Sequence, residues 1–221
     1  MSLQEVYTLL DSMKFGETVL VEYQSPSYIL DFLLLLLKHY ADERGLPLVI
    51  DDNLDILHVV NEHLKLFGVE GAFDGAMVVK TGGKINVGNV VGRIPLEGEP
   101  SLYLRRYEQL SREVLSGVKN AINAVIGLER LFAFTENRAD FYSIISSIQT
   151  FVGNHGRKAF YFVDVDIAER VPFNPLPELE RIATTVIVTR PQKDRGIGRI
   201  VKGTNVEALG KEIEVSLTEL L

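Results

Sequence analysis

Residues Phe32 to Leu37 are consecutive apolar side chains, preceded by Tyr28-Ile29-Leu30 with a single charge, Asp31, between. The run is far short of the ~20 residues that cross a bilayer, and Lys38-His39 close it. Such a segment has no polar face to offer water. As a helix it must be covered on all sides, which points to a core helix of a three-layer protein.

The flanking sequence agrees. Short apolar runs alternate with helical stretches along the chain, the pattern of a mainly parallel sheet covered by helices. Thr18–Tyr23 reads as a first strand. Ser25-Pro26 then offers an N-cap followed by proline at the first helical position, opening a helix to about Arg44 that Gly45 ends. Leu46–Ile50 is a second strand, and Asp51-Asp52-Asn53 is expected to cap a helix whose apolar residues Leu54, Leu57, Val60, Leu64 and Phe67 recur at helical spacing.

Ala76–Lys80 and Ile85–Ile94 look like strands joined by a turn at Thr81-Gly82-Gly83. Ser101–Leu115 is an amphipathic helix, Ala124–Phe134 a central strand, Ala139–Val152 a helix and Ala159–Val163 a buried strand. Pro175–Ala183 is a short helix, followed by strands at Thr184–Thr189, at Gly198–Lys202 as an antiparallel partner, and at Ile213–Leu217 as an edge. That makes about eight strands and six helices. No linker or repeat divides the 221 residues, so a single domain over 1–221 is expected.

Composition narrows the chemistry. There is no cysteine, which excludes disulfides, thiolate metal sites and cysteine nucleophiles. The formal net charge is −7, so a nucleic-acid partner is not expected without a local basic patch. The first residues carry neither a basic lead nor an apolar signal core, and no membrane segment follows; a cytoplasmic location is expected.

The element order resembles the RecA/KaiC-like ATPase core. The residues that carry the likeness are Gly16-Glu17-Thr18-Val19-Leu20-Val21, then Leu48-Val49-Ile50-Asp51-Asp52, Leu66-Phe67-Gly68-Val69, and Ala124 to Glu129. The tail Thr185-Val186-Ile187-Val188 with Arg199-Ile200-Val201-Lys202-Gly203-Thr204 completes it. The chain also resembles a family of uncharacterised proteins from hyperthermophilic archaea sharing this core, a likeness that implies no known activity. The resemblance implies a three-layer α/β/α domain, a mainly parallel central sheet and a C-terminal antiparallel hairpin.

A phosphate loop needs Gly-x-x-x-x-Gly-Lys-Ser/Thr, so that backbone N–H groups and a lysine converge on phosphate and a hydroxyl binds magnesium. This chain has Glu22-Tyr23-Gln24-Ser25-Pro26-Ser27-Tyr28 there, with no glycine, no lysine and one N–H removed by Pro26. Ordinary ATP hydrolysis at this loop is therefore not expected, and a non-catalytic binding or regulatory module is the leading reading. The alternative is a small-ligand or nucleotide-binding enzyme using a non-standard site in the same crevice.

The candidate ligand-binding residues are Gln24, Ser25, Ser27, Asp51, Asp52 and Glu129. Ser25 also reads as a helix cap, Asp51-Asp52 as cap carboxylates, and Glu129 as the partner of Arg130. Asp164 and Asp166 alternate on an extended segment, as cation ligands or as solvated acids. His58 and His63 fall about 140° apart on their helix, unlike a zinc pair. No metal and no cofactor is expected. Arg195, Arg199 and Lys202, within a basic run that includes Arg190 and Lys193, are candidates to face a partner. That partner is an unknown protein, a small ligand or a second copy of the chain. No aromatic side chain is interleaved there for base stacking.

Overall fold

The computed structural model describes residues 3–97, 100–192, 195–216 and 219–221; Lys193 of the basic run lies outside them. The chain enters through α1 (Leu3–Ser12), a helix not anticipated from sequence, which buries Val6, Tyr7 and Leu10. Then come β1 (Thr18–Tyr23), α2 (Ile29–Glu43), β2 (Leu48–Asn53), α3 (Ile56–Leu66), β3 (Met77–Thr81), β4 (Asn89–Ile94) and α4 (Pro100–Ser116). After β5 (Ala121–Ile126) follow α5 (Leu128–Leu131), a 3₁₀ turn (Phe132–Phe134), α6 (Arg138–Gln149), β6 (Arg157–Asp164), α7 (Val165–Ala168) and α8 (Leu176–Ile182). The chain closes with β7 (Thr185–Gln192), β8 (Arg195–Lys202), a second 3₁₀ turn (Val206–Ala208) and β9 (Glu212–Ser216).

Among the described residues nine strands form one sheet in the order β4-β3-β2-β5-β6-β1-β7-β8-β9. Strands β4 through β7 in that order are parallel, and β8 and β9 return antiparallel. Every residue of β1, β2, β5 and β6 is buried, as expected of parallel strands covered on both faces. Helices α1, α2 and α3 pack on one face, and α4 to α8 on the other. The protein is a three-layer α/β/α fold with a C-terminal antiparallel hairpin.

The apolar run finds its cover here. Leu34, Leu35, Leu36 and Leu37 are all buried, each removal from water stabilising by roughly 1.5–3 kcal/mol. On one flank the Tyr40 hydroxyl donates to Asp11 of α1 at 2.9 Å. Phe32 and Leu33 are only partly covered.

Four local expectations are corrected. Helix α2 begins at Ile29, not at Ser25; Tyr28 precedes it without a side-chain cap, and Ser25-Pro26 belongs to the preceding loop, with a cis peptide. Asp51-Asp52-Asn53 do not cap a helix from outside the sheet but continue β2, because each is paired with β3, and Asp51 and Asp52 with β5 as well. Strands β3 and β4 are parallel, not a hairpin. Residues 82–88 are long enough to carry the chain back to the start of β3, where Asn89 N donates to Ala76 O at 2.9 Å. The central strand is Ala121–Ile126, ended by Gly127 at φ +71, where a Cβ would stand 2.6 Å from the Asn53 carbonyl oxygen. The backbone can turn out of the sheet there because glycine has no Cβ.

Candidate functional site

In open α/β sheets the binding crevice lies at the carboxyl ends of the strands. β1 ends there at Tyr23, and the segment 24–28 that follows bonds to itself and to its neighbour. The Ser25 hydroxyl donates to the Asp164 carboxylate, and the Ser27 hydroxyl donates to Gln24 O at 2.9 Å. Asp164 closes β6 and caps α7, accepting from the Asp166 and Ile167 amides at 3.0 and 3.4 Å. Gln24 is exposed. Tyr28 leaves the crevice for an aromatic group with Phe32, His63 and Phe67, its ring centroid 5.2 Å from that of His63 and 5.1 Å from that of Phe67.

Strand alternation separates the two aspartates, because adjacent residues of a strand point to opposite faces. Asp52 turns toward α3, accepts from the Leu57 amide at 3.0 Å and pairs with Lys80 of β3. Lys80, 0% exposed, also lies 2.6 Å from Asp55. Asp51 turns toward α4, accepts from the Asn123 amide at 2.7 Å, and Asn123 in turn accepts from the buried Arg157 guanidinium. Burial pushes the Asp51 carboxyl up to about 6, against the Asn123 hydrogen bond and the Arg157 charge, which lower it. These aspartates therefore do not converge on one reacting centre.

Glu129 lies on α5, just beyond β5, and is fully buried. Neither carboxyl oxygen has a hydrogen bond of good geometry, and Arg130 Nε stands 3.7 Å away. Burial raises its carboxyl to about 7; nearby amides and Arg130 lower it in part, and the Asp164 charge raises it further. The buried Tyr23 phenol is pushed up by burial and then by the Glu129 and Asp164 charges, so its ring fills space beside both carboxyls. On the other face Glu22 rises to about 7 through burial and the neighbouring Glu180. Among the described residues, no group of three or more histidine and acidic side chains is placed to hold a metal ion.

The basic hairpin is largely answered by its own neighbours. Arg190 pairs with Glu212 at 3.3 Å, Arg195 pairs with Glu214, and Lys202 donates to the Glu180 and Arg181 carbonyls at 2.8 and 3.3 Å. Arg199 is exposed and stands opposite Glu212 in register. The acidic alternation of β9, Glu212 and Glu214, was the sequence signal for this ladder.

Sequence reasoning missed an apolar cleft. About 700 Å³ in volume, it lies between α1, α2 and the face of β1, β6, β7, β8 and β9. Its floor includes Gly196 and Gly198, alternate residues of β8 on one face, and a Cβ on Gly196 would lie 3.4 Å from Ile29. The missing side chain at Gly196 lets Ile29 of α2 lie close against β8. The Gly-x-Gly alternation was visible in the sequence but reads there only as spacing between arginines.

The sequence profile of a family described as "Pyrococcus protein of unknown function, DUF257" matches residues 8–214. The chain belongs to that family. No curated protein matches it. Among solved structures, the Pyrococcus horikoshii OT3 protein PH0250 is 27% identical with a TM-score of 0.78, covering 96% of this chain and 98% of that one. The KaiC-like protein PH0186 of the same organism is 15% identical with a TM-score of 0.61 over 93% and 88% of the two chains. PH0321, an uncharacterised protein from Pyrococcus horikoshii crystallised in complex with an unknown peptide, is 14% identical with a TM-score of 0.64 over 98% and 94%. The family thus has a KaiC-like fold, as the element order implied. No helix among the described residues is long and apolar enough to cross a membrane.

Proposed function

We propose that this chain is a non-catalytic protein of KaiC-like fold, a binding or regulatory module in which the place of the phosphate grip has become structural. One observation carries this reading: the hydroxyls of the 24–28 segment are satisfied within the fold, Ser25 by Asp164 and Ser27 by Gln24, and the Asp164 charge acts in turn on the buried carboxyl of Glu129. Lys80, the buried cation at the end of β3, is held between Asp52 and Asp55. A triphosphate there would meet carboxyls with no lysine in the loop to offset them; one like charge at 4 Å costs about 4 kcal/mol at an effective dielectric of 20. PH0321, of similar fold, holds a peptide, which supports ligands of another kind on this scaffold.

A small-ligand enzyme acting through Gln24, Ser27, Asp51 and Asp52 has less support, since Asp51 and Asp52 face opposite sides of the sheet and Tyr23 lies beside Glu129 and Asp164. The test is phosphate release from magnesium–ATP by the purified protein, with Glu129→Gln as the paired variant. Release at the buffer rate for both is expected. Turnover by the native chain that the Glu129→Gln variant loses would sink the proposal.

A further inference from the structure

We infer that the groove between α8 and strands β7 and β8 is a binding site for a primary alkylammonium group, its charge meeting the neighbouring carboxyls of Glu22 and Glu180 and its hydrocarbon stem lying on valine. The groove has a volume of about 450 Å³, within the usual range of small-molecule sites. Glu22 precedes the 24–28 segment in the chain but turns to the sheet face that carries α4 to α8, so this site is distinct from that loop and from the apolar cleft.

Strand alternation puts Glu22 there. Leu20, two residues earlier on β1, belongs to the core under α4 to α8, and alternate side chains of a strand share a face. Glu22 is 9% exposed, lines the groove, and has no hydrogen-bond partner at Oε1. Buried polar groups are nearly always hydrogen-bonded, so an orphan carboxyl oxygen in a groove wall calls for a donor from outside. The second carboxyl is that of Glu180, exposed on α8 and close enough to share a hydrogen bond with Glu22.

Charge chooses the head. Among the described residues no lysine, arginine or histidine forms an ion pair with either carboxyl. Arg181 and Lys202 line the same groove but do not answer them. Lys202 donates instead to the Glu180 and Arg181 carbonyl oxygens, at 2.8 and 3.3 Å. Burial, with the Glu180 charge behind it, pushes the Glu22 carboxyl up to about 7. Two carboxyls side by side repel once both are ionised, and a cation between them removes the repulsion.

The walls choose the stem. Val188 stands beside Glu22 and Val186 beside Leu20 in the β1–β7 register, and Pro177 of α8 with Val201 of β8 completes an aliphatic lining. An alkyl stem packs on such a wall while its ammonium reaches the carboxylates, as a lysine side chain does on an apolar surface. A bare metal ion fits less well. Two carboxylates fall short of the roughly six to eight oxygens that calcium takes, and no group of three or more histidine and acidic side chains among the described residues is placed to hold an ion.

The experiment titrates the isotope-labelled protein separately with hexylamine, hexanol and Nα-acetyl-lysine amide, and follows the methyl resonances of Val186, Val188 and Val201. At pH 8 hexylamine should shift these methyls saturably and bind at least tenfold tighter than hexanol. Saturation by acetyl-lysine amide as well supports the same site, and the tighter of the two ammonium ligands tells a free amine from a lysine on a partner. At pH 5 Glu22 carries its proton while hexylamine keeps its charge, and binding should weaken at least tenfold. Glu22→Gln should weaken it by a similar factor at pH 8. Should that variant fail to fold, Glu180→Gln alters an exposed position and should weaken binding likewise. No saturable shift at pH 8, equal affinity for hexanol, equal affinity at pH 5, affinity unchanged by Glu180→Gln, or calcium bound more tightly than hexylamine would each overturn the inference. Phosphate release tests the 24–28 segment and Glu129, so either proposal can fail alone.

Discussion

Lys80→Ala is expected to destabilise this protein by about 3–5 kcal/mol, the usual cost of stranding one partner of a buried ion pair. The lysine is fully buried and holds Asp52, which is 1% exposed, together with Asp55. Without the ammonium, the Asp52 carboxylate faces α3 with only the Leu57 amide, at 3.0 Å, to offset its burial. The expected size follows from desolvation rather than from the attraction itself, since a buried pair taken whole contributes little net. A Lys80→Ala/Asp52→Asn double variant should therefore recover much of the loss, because the asparagine oxygen can still accept from Leu57, and the one charge left behind, Asp55, is partly exposed and accepts from the Lys84 and Ile85 amides. In a chain of this size each kcal/mol moves the melting temperature by about 2–4 °C. Denaturant midpoints of the native, single and double variants test it, and strictly additive losses would show that stranded charge is not the cause.

Lys80 also shows where sequence reading stopped. The strand Ala76–Lys80 was legible from its apolar run, and Asp51-Asp52 from their place after another. Nothing in the linear pattern says that these strands are adjacent, and their pairing is what turns Asp52 from a candidate ligand-binding residue into half of an ion pair. Asp51 repeats the lesson on the opposite face, since its partners Asn123 and Arg157 are brought by β5 and β6. Strand neighbours are a property of topology, and only the parallel pairing of β2 with β3 and β5 supplies them.

What sequence did resolve was periodicity. The all-apolar run of α2 required cover on every side, and the alternation of strands and helices implied the three layers. The start of α2 was misread because Ser25-Pro26 has the residue types of a helix start, while the Ser25 hydroxyl has a stronger acceptor in the Asp164 carboxylate. The turn at Thr81-Gly82-Gly83 was misread for a related reason. Glycines permit a hairpin, but positive φ at Gly82, Gly83 and Gly88 serves equally to carry the chain back for a parallel strand. The cleft was not legible at all, because it lies between α1, missed as a helix, and strands distant in sequence.

Glu129 carries the second large effect, and its sign can be worked out. Its carboxyl titrates at about 7 in the folded protein against 4.5 for the free group, so folding takes up a proton between those values. Stability from this group is fully present below about pH 4.5 and is lost as pH rises through 7. A shift of that size corresponds to about 3 kcal/mol. Glu22 and Asp51, raised to about 7 and about 6, add losses of the same sign, so the protein should be more stable at pH 5 than at pH 8. Glu129→Gln isolates the one group: it replaces a neutral carboxyl by a neutral amide at pH 5, where little change is expected, and removes a buried charge at pH 8. There the variant should be more stable than the native chain by up to about 3 kcal/mol. Urea unfolding of both proteins at the two pH values decides it. An equal effect of the substitution at pH 5 and pH 8 would mean that the carboxyl does not titrate in this range, and that the amides of Glu129 and Asp164 with Arg130 hold it ionised throughout.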